Sequence, residues 1–133
     1  MPIRSDNKVL RAILLVDAAT CVLAGAVMTL GAALVNGLTD IPTSVLLPAG
    51  LSLFPIAAFM AFIATRPVVS KPAVWLIIVG NAGWVAGSLY LAMGGAIAPN
   101  LLGQVFIVVQ AAAVVVLTLL EYRGVVRMEA AFA

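Results

Sequence analysis

The first feature of this sequence with chemical potential is a carboxylate inside an apolar run. Asp17 interrupts residues 12–35, AILLVDAATCVLAGAVMTLGAALV. A charge held in a hydrocarbon layer is costly, so it marks either an interhelical hydrogen bond or a proton or cation site. Asn81, Trp84 and Gln110 also lie within apolar stretches, and with Asp17 they form the candidate intramembrane polar site. Asp17 stands six residues past Arg11, about 9 Å along a helix, and Asn81 stands eight past Ala73, about 12 Å. The two are expected at similar depth, where the Asn81 amide can donate to the carboxyl. Thr20, Cys21, Ala24 and Met28 continue the Asp17 face at helical spacing.

The other polar groups follow the same logic. The indole N–H of Trp84 needs an acceptor when buried, and Gln110 and Gln104 are expected to face the interior as links between helices. Glu121 falls at the end of the last apolar stretch and reads as an interfacial partner for Arg11, an ion pair of small energy. Two readings of Asp17 stay open. It is a proton or cation site, or it is a residue without a titrating role, either an interhelical hydrogen-bonding group or one that reaches toward the cytoplasmic headgroups near Arg11.

What is missing narrows the chemistry. There is no histidine and only one cysteine, Cys21, which removes the commonest acid-base catalyst, most zinc sites and any intrachain disulfide. No nucleophile–base set, phosphate-binding glycine loop or close carboxylate pair is visible. The expectation is therefore a protein that is not an enzyme, with no catalytic residues, no cofactor and no metal.

These residues must be positioned by membrane-spanning helices. Of 133 residues, 65% are hydrophobic and 9% charged, against about 25% charged in a soluble domain. A span needs roughly 20 apolar residues, and four such stretches fit: 12–35, 45–65, 73–93 and 101–120. The whole chain, 1–133, reads as a single integral membrane domain. The fold class expected is all-α, an antiparallel four-helix transmembrane bundle. Pro42, Pro72 and Pro99 stand at span entries, while Asn36-Gly37, Gly94-Gly95 and Gly124 stand at exits, the asymmetry that helices prefer. Pro55 is expected to kink the second helix. Gly83 and Gly87 form a GxxxG pair for helix packing, either within the bundle or between two chains.

Arg4, Lys8 and Arg11 precede the first span, Arg66 and Lys71 separate the second from the third, and Arg123 and Arg127 follow the fourth. All seven cations fall on one side, so both termini are expected in the cytoplasm. The net charge of +2 forms no patch, and nucleic acid is not expected as a partner. The lipid bilayer is, and a homodimer or a larger membrane complex are the assemblies left open.

The LLVDA segment at 14–18, LLPAGLSLFPIAAFMAFIATRP at 46–67, AVWLIIVGNAGW at 73–84 and the EYRG at 121–124 together resemble an uncharacterised family of small bacterial inner-membrane proteins with four predicted transmembrane helices. The resemblance implies a multi-pass protein of the bacterial cytoplasmic membrane and carries no activity with it. On the residues alone, the outer half offers only Thr29, Ser52, Ser88 and Gln104 to line a path, so a closed core is expected. The first functional expectation is a non-enzymatic accessory or scaffold subunit. The alternative is a proton-coupled transporter or channel working as a dimer, with Asp17 as coupling site.

Overall fold

The computed structural model describes the backbone of residues 2–132 and the side chains of residues 7–128, so Arg4 lies outside the described side chains. Among the described residues the fold is all-α, with five helices: α1 (Pro2–Leu30), α2 (Ala32–Thr39), α3 (Thr43–Ala64), α4 (Lys71–Met93) and α5 (Leu101–Phe132). Four segments are long and apolar enough to cross a membrane: Asn7–Leu30, Thr43–Ala64, Lys71–Met93 and Leu101–Met128. Every backbone N–H and C=O needs a partner in lipid, and long helices supply those partners internally.

The helix ends follow local chemistry. Pro42 stands in the N-cap position of α3 and Pro72 in the first turn of α4, where Ser70 caps the Ala73 N–H. The Asn100 side chain accepts from the Gly103 N–H at 2.8 Å and so caps α5. Gly94 ends α4, and Gly95 takes φ +81°, open to glycine without steric cost.

Two expected exits lie elsewhere. Asn36-Gly37 does not end the first span. After a break at Gly31 the helix resumes to Thr39, and Asp40 adopts the left-handed cap conformation at φ 60°, which Asp tolerates because its short polar chain bonds locally. Asn36 instead donates to the Ile41 carbonyl across the turn at 2.8 Å. Gly124 does not end α5 either. It lies inside the helix, where a Cβ would stand 2.8 Å from Leu10 Cδ1, so its missing side chain lets α5 pass close over α1. Pro48 and Pro55 both sit within the continuous helix α3.

Two apolar clusters hold the helices together. One gathers Leu10, Leu14, Met60, Val69, Val74 and Val125. The other gathers Met28, Ile41, Leu46, Leu53 and Ile107 toward the opposite end. α1 packs chiefly on α3 and α4 chiefly on α5, with α1 against α5 joining the two pairs, whereas α3 and α4 barely touch.

α1 and α3 approach closely at Gly25 and Gly50. A Cβ on Gly50 would stand 2.8 Å from Met28 Cβ, and one on Gly25 would stand 3.0 Å from the Gly50 carbonyl. Gly83 and Gly87, expected from their spacing to pack helices, do not do so within the bundle. Both are exposed, and a Cβ on either would meet nothing within 4 Å.

Candidate functional site

Along α5 the buried positions run Gly103, Ile107 and Ala111, then stop until Glu121 and Val125. Along α4 they run Val74, Ile77 and Asn81, then stop until Ser88. Between these gaps lies a cleft of about 650 Å³, lined by residues of α1, α3, α4 and α5. The expected closed core is therefore not what forms: a cleft lies between the helices, and α3 and α4 barely touch. Asp17, Asn81, Trp84 and Gln110, the four candidate polar residues, all line this cleft. Apart from these and Thr20 its walls are largely apolar, with Leu23, Val27, Ile56, Phe59 and Leu76 exposed, so the cleft is open at the side of the bundle.

At one end of the cleft three polar side chains converge. Asn81 Nδ2 donates to Asp17 Oδ2 at 3.1 Å and to Glu121 Oε1 at 3.0 Å. One amide nitrogen thus bridges the two carboxyls and holds them side by side. All three residues are buried, Asp17 to 2% exposure, Asn81 to 8% and Glu121 to 0%. Asp17 and Asn81 form part of the cleft wall, and Glu121 stands behind them. Two acceptor sites remain poorly filled. Asp17 Oδ1 accepts from the Cys21 thiol, a weak donor at 3.9 Å, and Glu121 Oε2 has no partner.

The close carboxylate pair is not expected from the sequence, whose pattern puts Glu121 at the interface beside Arg11. The reason is helix length. Because α5 runs through Gly124 to Phe132, Glu121 falls inside the Leu101–Met128 span and reaches Asn81. Arg11 is committed elsewhere: its guanidinium donates to the carbonyls of Ala64, Arg66 and Pro67 at the turn after α3. Among the described residues no cation pairs with either carboxyl.

A second network lies farther along the cleft. Trp84 Nε1 donates to Gln110 Oε1 at 2.9 Å, and Gln110 Nε2 donates to Ser88 Oγ at 2.9 Å. Ser88 in turn donates to the Trp84 carbonyl. The amide thus fixes the indole against the wall and satisfies the N–H that burial would otherwise leave unpaired. Gln104 is not an interior link: it is exposed and reaches only the Ala92 carbonyl at 3.5 Å. Thr20 and Cys21 lie on the cleft wall beside Asp17.

Chemically, the arrangement is a buried acidic pair sharing one amide donor, next to a laterally open apolar cleft. Among the described residues no group of three His, Cys, Asp or Glu side chains is disposed to hold a metal ion. Compared with protein-family models, with curated proteins and with solved structures, the chain finds no significant match in any of the three. The family resemblance of the sequence segments therefore gains no support, and four membrane-length helices are what stands of it.

Proposed function

We propose that this multi-pass membrane protein is a non-enzymatic, proton-coupled carrier of small molecules. One observation carries the reading: the Asp17–Glu121 pair lies against the wall of a cleft that is open at the side of the bundle. Two carboxylates side by side at low dielectric cannot both stay ionised, so the pair retains one proton. One negative charge is then left to neutralise, by a second proton or by a ligand cation. Either makes the site neutral and fit to move within the bilayer, and each excludes the other, which is the requirement for exchange. The scaffold alternative draws on a packed, closed interior, and the cleft removes that support.

The same reading places both termini in the cytoplasm of a bacterial inner-membrane protein, with the helices antiparallel. The contact of Asn100 with Leu38 and Thr39 supports it, since it joins the α2–α3 turn to the entry of α5 at one end. The contact of Arg11 with the α3–α4 turn lies at the charged end. The exposed Gly83 and Gly87 suit a second copy docking on α4, the dimeric form of such a carrier. In proteoliposomes holding a proton gradient and an entrapped pH dye, a panel of small cations, sugars and carboxylates should include members that dissipate the gradient through the wild type and not through Asp17→Asn. Dissipation by both proteins, or by neither, contradicts the proposal.

A further inference from the structure

The cleft's chemistry narrows what it can take, and this step rests on the carrier reading above. Its volume lies within the range of small-molecule sites, roughly 300–1,000 Å³. Its lining is aliphatic and aromatic, from Leu53, Phe59, Met60, Leu76 and Phe106, so the body of an occupant must be apolar. Polar character is confined to the Asp17–Asn81 end and to the Trp84–Gln110 pair, whose donors are already engaged.

At the acidic end the free valence has a definite sign. Asp17 Oδ2 accepts from Asn81, while the donor to Oδ1 is a weak thiol at 3.9 Å. An acceptor so placed at low dielectric calls for an N–H donor with positive charge. A permanent cation without N–H would satisfy the charge and leave the hydrogen bond unmade. A neutral hydroxyl would do the reverse.

We propose that the cleft binds an amphiphilic protonated amine, its ammonium donating to Asp17 Oδ1 and its apolar body lying along Phe59, Met60 and the Trp84 ring. The indole adds attraction for the cation where its face is reached. The exchange balances without any bond to carbon changing. The amine enters as the ammonium when the pair gives up its second proton, and the first stays with the pair, so the charge balances.

The test compares decylamine, decyltrimethylammonium and decanol binding to the full chain in nanodiscs of zwitterionic lipid. Trp84 fluorescence is read in a Trp75→Phe background. One charge-assisted hydrogen bond in a desolvated site is worth about tenfold or more. Decylamine should therefore bind at least about tenfold more tightly than either analogue, and Asp17→Asn should reduce it to the level of decanol. Decanol should bind Asp17→Asn as tightly as it binds the wild type, which guards against a merely misfolded Asp17 variant. Equal binding of all three probes, or an amine preference that survives Asp17→Asn, overturns the inference. A gradient dissipated by non-amine solutes with no amine preference would also overturn it while leaving the carrier reading intact. An amine preference with no gradient dissipation would uphold this site and sink the coupling.

Discussion

Asn81 is the joint on which the acidic pair depends, so Asn81→Ala measures that dependence. The substitution removes the donor that reaches both Asp17 Oδ2 and Glu121 Oε1. Interhelical polar contacts in membranes contribute about 0.6 kcal/mol each and at most about 1.7. Two of them lost together should cost about 1–3 kcal/mol, toward the upper end because both acceptors are buried and Glu121 already has one oxygen without a partner. The informative quantity is the coupling. In an Asp17→Asn background the new side-chain amide can donate to Glu121 itself, so removing Asn81 should cost less than half as much there. Equilibrium unfolding of the four variants in mixed micelles titrated with dodecyl sulfate closes this double-mutant cycle. A cost within about 0.3 kcal/mol of zero, or an equal cost in both backgrounds, would refute the account of Asn81 as the shared donor.

Three further outcomes follow from the packing and the ends of the helices. Gly50→Ala should destabilise by about 1–3 kcal/mol, because its Cβ would stand 2.8 Å from Met28 Cβ. Gly83→Ala, with open space around it, should be neutral or stabilise by up to about 1 kcal/mol through helix propensity in the same unfolding assay. Arg11→Ala should speed amide exchange over residues 64–69 by freeing the turn that its guanidinium holds. Arg11→Lys should not restore protection, because an ammonium cannot span the carbonyls that the planar fork reaches. In a bacterial host, a reporter active only in the periplasm should work when inserted at Asp40 and fail when fused to the C-terminus, and the opposite pattern would invert the proposed topology.

The four spanning helices are legible in the sequence because length and hydropathy fix them locally, and Pro42, Pro72 and Asn100 mark their entries for equally local reasons. Asp17 and Asn81 could be matched by depth because each is a polar group at a countable distance from a charged end. Trp84 announced its need for an acceptor, and Gln110 supplies it.

Glu121 was hidden by Gly124, which reads as a stop signal. Only the crossing over Leu10 shows why a glycine belongs inside that helix. Gly25 and Gly50 carry no joint signal, since their closeness is a property of two helices and not of either sequence segment. Gly83 and Gly87 have the familiar spacing and no neighbour. The cleft is hidden for a related reason: wall residues of a laterally open cleft and residues of a packed seam are both apolar, so hydropathy does not separate them. The interruption of burial along α4 and α5 is visible only once the helices are assembled.

The central claim, that Asp17 and Glu121 share a proton beside the cleft, is tested most directly by infrared spectroscopy of the full chain in lipid. The account predicts a carboxylic C=O band at neutral pH that moves on exchange into heavy water and is lost or displaced in both Asp17→Asn and Glu121→Gln. A wild-type spectrum with no such band, or a band that neither substitution changes, would contradict it.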